Sequence, residues 1–186
     1  MRKKLFFASI LTSFFVVNSC QLNEVLKPNI IWLVLEDQSQ YFFPFYGDNT
    51  LELKNINQLL DNGIVYEGMN SPYPVCAPSR SAIITGMYPN SIGTGNQRAY
   101  SYYRAEREEH EKQLGFPFYS SKFAEQIKPF TQILRENGYY TSNNSKEDYN
   151  FKLRKEAWDD SSINASWENR DGREPFFSVF NFDITH

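Results

Sequence analysis

The chain has 186 residues, is 41% hydrophobic and 17% aromatic, and carries a formal net charge of -3. That balance supplies enough apolar material for a globular core, which excludes a disordered chain, and the acidic sign excludes a basic nucleic-acid binder.

The first residues, "MRKKLFFASILTSFFVVNSC", read as an export leader: the cations Arg2, Lys3 and Lys4, an apolar run over 5–17, and small or polar residues before a cysteine. The run is too short to span a bilayer comfortably. Val17-Asn18-Ser19-Cys20 resembles a bacterial lipobox, with Asn18 where a smaller residue is usual. Cleavage would remove 1–19 and leave Cys20 as the lipid-bearing first residue of a mature lipoprotein, followed by a polar linker over 20–27. Cys76 is then the single thiol of the folded domain, and no disulfide framework exists.

The stretch "NIIWLVLED" is a continuous β-branched and aliphatic run over 30–35 closed by two acids, the pattern of a strand buried on both faces of a parallel sheet. In "LKNINQLLDNGIVYEGM", Ile56, Leu59 and Leu60 lie at helical spacing, Gly63 marks the helix end, and a second strand is expected from Ile64. Then comes "SPYPVCAPSRSAIITGMYPN", where Pro78 suits a first helical turn, Ile83 and Ile84 are apolar positions, and Gly86 ends the helix. Cys76 is expected just ahead of that helix.

"NQRAYSYYRAEREEHEKQLGFPFYSSKFAEQI" is aromatic and charged without clear periodicity and reads as an extended loop, either bordering a substrate cleft or running as a solvated excursion. Order returns in "KPFTQILRENGYYTSNNSKEDYNF": Pro129 opens a helix, Ile133 and Leu134 face the core, Gly138 caps, and 139–142 form a strand. "LRKEAWDDSSINASWENRDGREP" is polar and turn-rich, with Trp158 and Trp167 packing locally, and "FFSVFNFDITH" is a final apolar strand. Asn143 and Asn164 lie in N-x-S patterns that mean little if the source is bacterial, as the lipobox-like ending implies.

Alternating strands and helices imply an α/β fold with a mostly parallel sheet. Glu36 and Asp37, Lys146 and His186 each follow an expected strand, and ligands of open α/β sheets bind beyond the carboxyl ends of the strands. Taken alone, the acid pair reads as a solvated turn, and Lys146 and His186 as ordinary surface. A lone exported thiol reads either as a small buried hydrophobe or as a group with a use.

"CAPSRSAIITG" resembles the C-x-P-S-R signature of the type I, formylglycine-dependent sulfatases, with its short helix ending in T-G. "NIIWLVLEDQ", "LRENGYYTSNNSK" and "PFFSVFNFDITH" stand where that family has its acid-ended first strand, its lysine and its histidine, so the resemblance runs over most of 27–186 and is nearest the branch related to heparan N-sulfatases. It implies an alkaline-phosphatase-like α/β fold, a parallel sheet sandwiched by helices, here incomplete. Residues 28–186 would be the N-terminal part of a catalytic domain, ending in an unfinished sheet.

By the same resemblance Cys76 is oxidised to formylglycine by a formylglycine-generating enzyme and acts as nucleophile. A divalent cation, calcium in most members, is held by Glu36, Asp37 and the modified Cys76. Arg80 steadies the modified side chain, Lys146 binds a sulfate oxygen, and His186 relays a proton or hydrogen-bonds the sulfate. The implied reaction is hydrolysis of sulfate esters or sulfamates, the substrate a sulfated small molecule or glycan, and the location periplasmic or cell-surface through the lipid anchor. A phosphonate or phosphate monoester hydrolase on the same fold, or a lipid-anchored protein without turnover, are the rival readings. Two departures stand out: Glu36 replaces the aspartate common at the first metal position, and Asp148 lies two residues after the lysine where many members have a histidine.

Overall fold

Runs of β-branched and aromatic residues bounded by turn-formers become strands, and four do so in the computed structural model, which describes residues 26–97, 104–123 and 125–185. They are β1 (Ile30–Leu35), β2 (Tyr140–Asn144), β3 (Asp160–Ser161) and β4 (Phe176–Phe182). All pair in parallel, in the order β1-β4-β2-β3. The leader over 1–19, Cys20 and His186 lie outside the described residues, and among the described residues no helix is long and apolar enough to cross a membrane.

Strand register decides which side chains meet. Ile30, Trp32 and Val34 stand opposite Phe177, Val179 and Asn181, while Thr141 and Asn143 of β2 stand opposite Phe177 and Val179. Side chains alternate along a strand, so these eight residues share one face. Helices α2 (Cys76–Thr85) and α4 (Phe130–Glu136) complete that layer: Ile84, Phe151, Leu153, Ala157 and Trp158 form the core with Phe177 and Val179, and Phe130 and Leu134 pack against it. Phe177 is central, with Trp32, Phe130 and Trp158 all in ring contact. Phe177→Ala is therefore expected to cost about 4 kcal/mol, read as a lower urea midpoint with an unchanged slope.

Several expectations need correction. β1 has the expected bounds but is an edge strand among the described strands and is covered on one face only: on the other, Ile31 is 47% and Leu33 58% exposed. No strand follows Gly63, and Ile64, Tyr66 and Met69 are exposed because no neighbouring strand there offers hydrogen-bonding partners. α1 (Lys54–Leu60) forms as expected, although Leu59 faces solvent.

The expected long loop contains α3 (Arg104–Leu114). Its Arg, Ala, Glu and Lys content favours helix by propensity alone, without the apolar stripe that periodicity detects. In α4, Leu134 faces the core as expected, but Ile133 is exposed, and Thr131 and Gln132 are buried in its place. Trp158 belongs to the main core rather than to a local cluster, whereas Trp167 packs on Phe176 and Phe180 across the opposite face.

Candidate functional site

Val75 is extended and Cys76 is the first residue of α2, so the thiol opens the helix instead of preceding it. The helix is well fastened where it begins. Ser79 N–H donates to the Val75 carbonyl at 3.1 Å, the Ser79 and Ser71 hydroxyls pair at 2.6 Å, and the buried Ser81 hydroxyl donates to the Ala77 carbonyl at 2.8 Å. Gly86 ends it in the left-handed region at φ 66, where a side chain would be strained. Arg80 follows Cys76 by one turn and so lies on the same side of the helix.

Arg80 reaches across to the carboxyl ends of the strands. Its Nη2 donates to Glu36 Oε2 at 3.0 Å and to Asn181 Oδ1 at 2.8 Å, and its Nη1 donates to the Lys146 carbonyl at 3.2 Å. Lys146 Nζ donates to the other Glu36 oxygen, Oε1, at 2.7 Å. Glu36 is 5% exposed, directly after β1, so one buried carboxylate is held between two cations. Burial alone pushes this carboxyl up, but the bonds from Lys146 and Arg80 and their charges outweigh it and leave it below the usual glutamate value.

Asn143 and Asn181 extend this network. Asn181 Nδ2 donates to Asn143 Oδ1 at 3.0 Å and to the Asn144 carbonyl at 3.1 Å, while Asn143 Nδ2 donates to Ser161 Oγ at 3.0 Å. Three adjacent strands thereby support the asparagine that shares Arg80 Nη2 with Glu36. Asn181→Leu is expected to cost roughly 2 kcal/mol, since it leaves several buried polar groups without a partner; a urea titration reads the loss.

Glu36, Asp37, Cys76, Arg80, Ser79 and Asn143 line a cavity of about 350 Å³ whose other wall is apolar, with Trp32, Ile83, Ile84 and Val179 among its lining. Asp37 enters it from a left-handed turn at φ 53, a conformation aspartate tolerates better than most residues. Tyr149 also lines it, and burial, reinforced by the Glu147 charge, raises its phenol above the ordinary value, so it remains a neutral hydroxyl.

The structure thus brings together Glu36, Asp37, Cys76 and Arg80, and joins Lys146 to them through Glu36. Asp148 adopts φ 51 and His186 lies outside the described residues. Sequence reasoning missed Asn143, Asn181 and Gln97. The available signal for the first two was a polar side chain inside a run that otherwise reads as buried strand.

A hard divalent cation takes six to eight oxygen ligands. Both Glu36 oxygens are engaged by cations, and the described residues contain no group of three His, Cys, Asp or Glu able to hold a metal ion. These residues do not fit a calcium ion by themselves.

Comparison with known proteins bears on this geometry. A family model described as Sulfatase matches residues 28–186. An ulvan-active sulfatase of Formosa agariphila is 44% identical over 160 residues, which is 86% of this chain and 25% of that protein. Human arylsulfatase D is 30% identical over 115 residues, 62% of this chain and 18% of the relative. The chain spans about a quarter of the length of the curated relatives it matches. The solved structure of BT4656 in complex with its substrate, D-glucosamine-2-N,6-O-disulfate, superposes with a TM-score of 0.60 at 18% identity, over 87% of this chain and 35% of that one, a likeness of fold.

Proposed function

The chain belongs to the sulfatase family and has its alkaline-phosphatase-like α/β fold, and on that footing we propose that its protein hydrolyses sulfate esters or sulfamates of sulfated glycans through a formylglycine made from Cys76. The observation that carries the reading is the shared cavity: Cys76 at the start of α2 and Arg80 one turn later face Glu36 and Asp37 at a strand end. The relatives support a glycan substrate by what they are named for, ulvan in one case and a sulfated glucosamine in another.

As a hydrated aldehyde, the modified side chain would supply two hydroxyls on one carbon, one to attack sulfur and one to release sulfate. The chain's own residues supply binding and orientation. Arg80 in the cavity wall, and Lys146 joined to it through Glu36, would draw in an anionic sulfate, and their partly buried surroundings would make that attraction stronger than in solvent. Glu36 and the Asn181–Asn143 pair keep the guanidinium from swinging away. His186 would hydrogen-bond the sulfate or relay a proton, and Asp148 is assigned no role. Calcium would draw on Glu36, Asp37 and the modified side chain together with further oxygen ligands, and no step above depends on it.

The remaining partners follow from the leader. Residues 1–19 would direct export, Cys20 would carry the lipid anchor, and the domain would begin at 28, facing the periplasm or the cell exterior, with a formylglycine-generating enzyme acting on Cys76. Turnover is tested on the full-length protein, co-expressed with that enzyme and offered an aryl sulfate and the matching aryl phosphate. Faster hydrolysis of the sulfate supports the proposal; dominant phosphatase turnover replaces it with a phosphate monoester hydrolase, and no turnover of either replaces it with a non-catalytic lipoprotein.

A further inference from the structure

The loop that follows the 3-10 turn Pro89–Ile92 is fastened to the same helix that begins with Cys76. Thr94 is fully buried, and its N–H donates to the Pro89 carbonyl at 2.8 Å. One side-chain amide, that of Asn150, donates to the Thr94 carbonyl at 3.0 Å and also to the Asn96 carbonyl. Asn150 is 4% exposed, and its own N–H donates to Ser81 Oγ of α2 at 3.2 Å. Between these anchors, Gly95 packs closely on the Asn90 side chain, which a Cβ there would have to push aside, meeting its Oδ1 at 2.5 Å. Such a loop has little freedom.

The consequence lies one residue further on. Gln97 projects its side chain onto the thiol, with Nε2 donating to Cys76 Sγ at 3.6 Å. We infer that Gln97 is a further residue of the catalytic site, a neutral hydrogen-bond donor to the side chain at position 76. An amide suits that place because it does not titrate and carries both a donor and an acceptor. It can therefore follow the side chain from thiol to hydroxyl-bearing group without adding charge beside Arg80 and Lys146. The contact with Sγ stands independently of the proposed function; only the amide's part in turnover rests on it.

The contact is read on unconverted full-length chain, produced without a formylglycine-generating enzyme, by the rate at which iodoacetamide alkylates Cys76. Following the tryptic peptide over 55–80 keeps Cys20 out of the measurement. Gln97→Glu preserves size and replaces the donor to Sγ by an acceptor-only anion, so alkylation near neutral pH should slow roughly fivefold. Gln58→Glu, in α1 away from the cavity, should stay within about twofold of the parent under the same rule. Equal rates for Gln97→Glu and the parent, with both chains folded by circular dichroism, overturn the contact.

In converted protein, Gln97→Glu should lower kcat for an aryl sulfate by about tenfold with little change in KM and no change in aldehyde content. Slowed alkylation with an unchanged kcat overturns the catalytic assignment and leaves Gln97 a packing residue. Slowed alkylation in a parent protein that hydrolyses no sulfate overturns the proposed function while supporting the contact.

Discussion

Glu36→Ala is expected to destabilise the chain by roughly 3 kcal/mol, the largest loss from any single polar residue of the site. The reason is less the attraction removed than what is left behind. Arg80 and Lys146 would remain partly buried with no carboxylate between them, and the cost of an uncompensated charge exceeds the worth of the pair. Glu36→Gln keeps the shape and one acceptor, so it should recover some packing but little of the charge compensation.

The pH dependence follows from the direction of the shift. The folded chain holds the Glu36 carboxyl below its ordinary value of 4.5, so its contribution is fully present above that value and is lost as pH falls through the lower, folded one. Urea midpoints of the parent should therefore decline below about pH 4.5 more steeply than those of Glu36→Gln. Parallel profiles for the two chains, or a Glu36→Gln variant as stable as the parent at neutral pH, would contradict the buried carboxylate bridge.

Cys76→Ala is expected to separate function from fold. Alanine is a good helix former and position 76 opens α2, so the thermal midpoint should stay close to that of the parent. Hydrolysis of an aryl sulfate by the full-length protein should fall by roughly 10³-fold or more, because the proposed nucleophile would be gone while the cations proposed to bind sulfate remain. A variant retaining a tenth of parental turnover would mean that position 76 is not the nucleophile.

How much of this was legible in the sequence depended on the kind of signal. β1 was readable to the residue, because a run of six apolar side chains closed by two acids has few other solutions. Its edge position was not, since exposure depends on which strands pair, and that is a matter of contacts distant along the chain. α3 escaped because its residues favour helix through backbone propensity while offering no apolar face to detect. The strand expected after Gly63 failed for the converse reason: apolar residues at Ile64 and Tyr66 suit a strand locally, but no neighbour supplies the ladder.

In the site, Cys76, Arg80, Glu36 and Lys146 were legible from their place in a signature and at strand ends. Their mutual arrangement was not. That Glu36 bridges both cations, and that Asn181, itself held by Asn143, bonds Arg80, arises from strand register, which sets Val34 beside Asn181 and Asn143 beside Val179. Gln97 was invisible because its position depends on Asn150, more than fifty residues later in the chain, as the separation of the Asn150 bonds to Thr94 and Asn96 shows.

The proposed chemistry turns on conversion of Cys76 to formylglycine. Its most direct test is the mass of the tryptic peptide over 55–80 from protein co-expressed with a formylglycine-generating enzyme. Aldehyde is expected in place of thiol at Cys76, trapped as a hydrazone by an added hydrazide. Unmodified thiol there, in cells where a control sulfatase is fully converted, would contradict it.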